Sequence, residues 1–134
     1  MFDETEWDYG SPKRDQVMIQ NVGGVFLIRV LQPQLIDETQ IQALNEALVG
    51  FVGDKAKLKI VLDLGKVLRM SSLALGKLVA LQKKLKEIEG ALKLLGLRPG
   101  VREIFRASRL DTLFEVFDDE IRAIKSFQKK RKWW

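Results

Sequence analysis

The 134 residues contain no cysteine and no histidine. Disulfide frameworks, thiolate or imidazole metal sites, and every nucleophilic or general-base scheme that runs on Cys or His are therefore excluded. Long apolar runs are missing too, since none approaches the ~20 residues that span a bilayer. The first ten residues, MFDETEWDYG, hold four acids and no base, the reverse of a signal-peptide start, so a cytoplasmic chain is expected. With three prolines and ten glycines there is no low-complexity stretch, and no internal repeat is visible.

What is present is a hydrophobic fraction of 46% against 31% charged residues, the balance of one globular domain. The net charge of +5 invites a nucleic-acid reading, but its distribution argues otherwise. The first ten residues carry −4 and the run Lys129, Lys130, Arg131, Lys132 carries +4, which leaves +5 for the body. There the bases are interleaved with acids, as in Lys83-Lys84-Leu85-Lys86-Glu87, a pattern that a solvated helix face explains. No specific nucleic-acid partner is expected. The end of the chain, from 128 to 134, is a basic tail closed by two tryptophans; it reads either as a frayed end or as a weak contact for anionic surfaces.

Residues 1–15 are acidic, hold Gly10-Ser11-Pro12 and show no apolar period, so they read as a mobile arm. The domain is expected over 16–127. Val17 and Ile19 alternate with polar neighbours, Gly23-Gly24 interrupts, and Val25 to Val30 resumes, which is a hairpin signal. Pro33 ends the second strand and Asp37 is placed to cap a helix over about 38–52, with Ile41, Leu44, Leu48 and Phe51 at helical spacing. The run from Leu58 to Leu64 predicts a central strand. Ser71-Ser72 then opens a long helix, about 72–89, with Gly90 as its C′ glycine. Ala91 to Leu95 predicts a strand, Pro99 the first turn of a helix, Phe114 to Phe117 a brief strand, and Asp118-Asp119 the start of a last helix.

The predicted order is β-β-α-β-α-β-α-β-α. Strands separated by single helices run parallel through right-handed crossovers, and only the first is antiparallel. The fold class is thus α/β: an open mixed sheet of four to five strands with helices mainly on one face. Ile60, Leu62, Leu78, Leu85 and Leu94 are expected in the core, and the opposite face is expected to be more polar, bearing Arg29, Lys59, Asp63 and Lys93.

The acids fall on helix starts and exposed faces, so no general acid/base pair can be named and an enzyme is not expected. No phosphate-binding glycine loop and no acidic metal cluster with recognisable spacing is present, so no cofactor and no metal are expected. Asp63, near the carboxyl end of the central strand, and Arg98, in the turn Gly96-Leu97-Arg98-Pro99-Gly100, are possible ligand residues. The informative segment is Arg69-Met70-Ser71-Ser72-Leu73-Ala74-Leu75-Gly76. Helix capping explains one hydroxyl there but not two. A serine at a helix start also suits phosphorylation, because the helix dipole and free N–H groups favour added negative charge.

Val61-Leu62-Asp63-Leu64, the Ser71-Ser72 pair, Leu75-Gly76-Lys77-Leu78-Val79, Gly90-Ala91-Leu92-Lys93-Leu94 and Leu110-Asp111-Thr112-Leu113-Phe114 together resemble the STAS domain of bacterial anti-sigma factor antagonists. The resemblance covers about residues 16–127. It implies a partner-switching protein that binds an anti-sigma factor which is also a serine kinase, with phosphorylation at the start of the second helix breaking the complex. Aligned on the serine pair, Ser71 matches the phosphorylated residue and Ser72 is the runner-up. The commonest family pattern is Asp-Ser-Ser-Gly-Leu-Gly; here Met70 stands for the aspartate and Leu73 for the first glycine. The implied docking surface comprises Leu31, Gln32 and Pro33 with Met70, Ser71, Ser72, Leu73, Ala74 and Leu75. The alternative is a small-ligand or nucleotide sensor on the same fold, using Asp63, Ser71 and Arg98.

Overall fold

The computed structural model describes residues 16–128. The arm expected over 1–15 lies outside these residues, as does the tail from 129 onward. Gln128, expected as the first residue of the tail, instead closes the last helix.

The chain opens with an antiparallel hairpin of β1 (Val17–Val22) and β2 (Val25–Val30). Gly23 and Gly24 both take positive φ, 61° and 92°, which a two-residue hairpin turn requires and most side chains resist. After Pro33 comes a two-residue strand, β3 (Gln34–Leu35), then α1 (Glu38–Val52), whose N-cap Asp37 accepts from the Gln40 N–H. The central strand β4 (Lys59–Asp63) is followed by a second two-residue strand, β5 (Arg69–Met70), and by α2 (Ser72–Glu87). The remainder is β6 (Ala91–Leu95), α3 (Pro99–Ala107), a 3₁₀ turn at Leu110–Thr112, β7 (Val116–Phe117) and α4 (Glu120–Gln128).

The main sheet has the order β1-β2-β4-β6-β7, antiparallel only at β1-β2, with β4 in the middle as expected. The strands β3 and β5 were not expected. They pair in parallel as a separate ribbon, Gln34 with Arg69 and Leu35 with Met70. Two residues carry no readable period, so only the fold reveals them.

Period-two alternation sorts the strands into two faces. Ile28, Val30, Ile60, Leu62, Leu92 and Leu94 turn to one side, where α1, α2 and α3 bury Leu48, Leu78, Leu85 and Phe105 against them. The opposite side carries Arg29, Lys59, Asp63 and Lys93 as expected, but it is also roofed. There α4 packs Ala123 and Ile124 on Val25, Leu27, Val61 and Leu95. Two polar clasps flank this smaller core. Arg29 bonds Asp63 at 2.9 Å and Glu120 at 3.1 Å, while Lys93 bonds Ser126 at 2.8 Å and sits 4.3 Å from the Phe127 ring centre.

The end of α2 corrects one glycine assignment. Glu89, with φ 62°, holds the left-handed C′ position, and the bonds Glu89 N–H to Lys86 and Gly90 N–H to Leu85 complete a Schellman motif. Gly90 is required for another reason: a Cβ there would stand 2.5 Å from the Leu58 carbonyl oxygen, where the chain passes into β6.

Candidate functional site

Ser71 links β5 to α2. Its N–H donates to the Leu35 carbonyl at 3.0 Å, and its own carbonyl accepts from Leu75 N–H at 3.1 Å. The backbone at φ −90° and ψ 168° is the extended conformation of an N-cap, and Oγ accepts from the Ala74 N–H at 3.3 Å. Ser71 is therefore the cap and remains half-buried, whereas Ser72 is the first residue of the helix and exposed. The first turn of α2 holds no acid, so added negative charge meets no like charge within that turn.

The β3–β5 ribbon gives this loop its position. Leu68 N–H donates to the Pro33 carbonyl at 2.7 Å, and the Ser71 N–H bond to Leu35 continues the ladder. The ladder thus sets Pro33 beside Leu68 and Leu35 beside Ser71, while Leu31 and Gln32 are held to Gln16 at the end of the hairpin. Leu31 N–H bonds the Gln16 carbonyl, the Gln32 amide bonds the Gln16 side chain, and Pro33 is exposed.

Three residues of the expected docking surface turn the other way. Met70, Ala74 and Leu75 are buried, because β5 and the inner stripe of α2 present them to the core shared with α1 and α3. They support the surface from beneath and cannot contact a partner without opening it. Leu73, one position round the helix from Ala74, is 44% exposed. Two exposed apolar residues beside it escaped the sequence reading, Ile36 and, at 48%, Leu68. The available signal was an apolar residue in a loop with bases on either side, Lys66 and Arg69.

Asp63 and Arg98, the possible ligand residues, have different settings. Asp63 Oδ2 accepts from Arg29 Nε and Oδ1 from the Gly65 N–H at 2.8 Å, so the carboxylate braces β2, β4 and the following loop. Arg98 is the exposed N-cap of α3, with no capping bond from its side chain. Among the described residues no group of three or more acids could hold a metal ion, and no helix is long and apolar enough to cross a membrane.

The STAS domain family matches residues 16–123. The chain is 32% identical over 102 residues to BtrV of Bordetella bronchiseptica, named for anti-sigma factor antagonism, an alignment covering 76% of this chain and 86% of that protein. An anti-sigma factor antagonist of Mycobacterium paratuberculosis superposes with a TM-score of 0.72 at 24% identity, over 84% of this chain and 93% of its own. The anti-sigma factor antagonist SpoIIAA has been solved unphosphorylated and phosphorylated. The first form gives a TM-score of 0.69 at 20% identity over 87% of this chain and 99% of its own. The second gives 0.61 at 20% identity over 83% and 98%.

Proposed function

We propose that this chain, which belongs to the STAS domain family, acts as an anti-sigma factor antagonist that switches partners through Ser71. The partner is an anti-sigma factor of the serine-kinase kind. It docks on the exposed rim formed by Leu31 to Pro33, Ser71 to Leu73 and Leu68, and phosphate on Ser71 releases it.

The observation that carries this reading is a hydroxyl at the start of a sixteen-residue helix, half-exposed and set among exposed apolar side chains. Phosphoryl transfer to Oγ adds about −1.5 to −2 of charge. Within the domain that charge is tolerated, because it faces the positive end of α2 and follows Arg69 by two residues. At an interface it is not. A partner that covers Leu68 and Leu73 must desolvate the dianion, which costs several kcal/mol unless a cation pairs with it. The swap of glycine for Leu73 enlarges the apolar contact and so raises that cost. The bond from Ala74 N–H passes from Oγ to a phosphate oxygen, leaving the helix capped.

The test is capture of the partner with the full chain, followed by incubation with ATP and mapping of phosphate. Modification of Ser71 with loss of the complex is the expected result. Phosphate confined to Ser72, or a complex that survives modification of Ser71, would overturn the switch.

A further inference from the structure

The rim around Ser71 is basic as well as apolar. Gly96, at the end of β6, approaches Gly65 closely enough that a Cβ would stand 3.4 Å from the Gly65 Cα, and a Cβ on Gly100 would stand 3.1 Å from the Leu68 carbonyl oxygen. The loops after β4 and β6 therefore abut. They place the exposed cations Lys66, Arg69 and Arg98 beside the exposed Ile36, Leu68 and Leu73, and among the described residues these three cations make no ion pair. A surface of this composition suits a segment that alternates acids with aromatic residues.

The chain carries one. Its first nine residues hold Asp3, Glu4, Glu6 and Asp8 interleaved with Phe2, Trp7 and Tyr9. The hairpin fixes where this segment joins the domain. Val17 pairs with Val30, and Leu31 N–H bonds the Gln16 carbonyl, so the arm leaves from the carboxyl end of the sheet, beside Gln32 and Pro33. From β1 to β6 is three strand spacings, about 15 Å. The eight residues from Asp8 to Gln16 span up to about 27 Å. The basic tail is placed differently: α4 ends at Gln128, whose side chain reaches Gly23 at the opposite end of the hairpin.

We propose that the acidic, aromatic arm of residues 1–15 docks on the Lys66, Arg69 and Arg98 rim of its own chain and covers Leu68 and Leu73. The arm then competes with any partner for that surface, a consequence that rests on the function proposed above, whereas the docking itself does not.

The absence of cysteine makes the test direct. A nitroxide is attached to Thr5→Cys in the full chain, and the loss of amide NMR signal is compared between oxidised and reduced label. Docking is expected to erase signals from residues 66–73 and 96–98 in low salt, and to restore them in high salt, where exposed charges are screened. Neutralising the arm with Asp3→Asn, Glu4→Gln, Glu6→Gln and Asp8→Asn should restore them as well, without touching the folded domain. Losses confined to Gln16, Leu31 and Gln32 would overturn the proposal, as would losses centred on Lys125 and Gln128, which would assign the arm to the tail. Losses appearing in an unlabelled isotopic chain mixed with labelled chain would assign it to a second copy. Because no partner is added, failure here leaves the Ser71 switch untouched.

Discussion

Asp63 and Ser71 stand at the two ends of one loop, and the protein uses them in opposite ways. Asp63 leaves the central strand with each carboxylate oxygen engaged, one by Arg29 and one by the Gly65 N–H. Ser71 enters α2 with its Oγ in a single long bond to Ala74 N–H, among exposed Ser72, Leu73 and Leu68. The cause is position relative to the sheet. Asp63 lies on the face that α4 covers, where a carboxylate without partners would be costly, so the fold supplies them. Ser71 lies on the rim, where water meets whatever hydrogen-bonding capacity the protein leaves free. A polar residue at a strand end is thus a structural brace when the chain satisfies it, and a candidate for chemistry when it does not.

Substitutions can separate the two roles. The largest effect is expected at the open position: Ser71→Asp should weaken the captured partner roughly a hundredfold, about 2.7 kcal/mol, by calorimetry, while the denaturant midpoint stays near that of the wild type. Asp63→Ala should do the reverse. Loss of the half-buried brace is expected to cost about 1–3 kcal/mol in urea unfolding, with partner affinity unchanged. An affinity drop as large as that of Ser71→Asp would make Asp63 part of the site after all. Ser71→Ala removes only the cap and should cost about 1 kcal/mol of stability, with the complex retained and kinase control abolished. Ser72→Ala, at the exposed first helical position, is expected to change stability by less than about 0.5 kcal/mol and to leave binding and phosphate incorporation intact.

Much of the fold was legible because its deciding interactions are local. The bounds of α1 follow from Asp37 and the spacing of Ile41, Leu44, Leu48 and Phe51, all within a few turns of one another. The hairpin follows from two adjacent glycines, and β6 from a short alternating run. At the site, the serine pair preceding an apolar period marked a helix start, and only the family resemblance singled out Ser71 from Ser72. Which neighbouring side chains face outward was harder to read. Met70 is buried where β5 pairs with β3, whereas Leu68, in the loop just before β5, is exposed. Ala74 and Leu75 lie on the buried side of a helix whose first turn alone does not reveal its rotation about the sheet.

Local chemistry by itself determined the order of the main elements, the alternation that sorts the central strand into two faces, and the position of a hydroxyl at the start of α2. These depend on capping, turn conformation and periodicity, which act over a few residues. Tertiary structure decided the rest. It joined Gln34 to Arg69 in a ribbon too short to have a period, brought Arg29 onto Asp63 from a strand 34 residues earlier, and laid α4 on the polar face. It also put Glu89 in the left-handed position that ends α2 and required glycine at 90, where the nearby Leu58 carbonyl leaves no room for a side chain. Such contacts form only when distant segments meet, and the spacing of residues along one segment carries no record of what will pack against it.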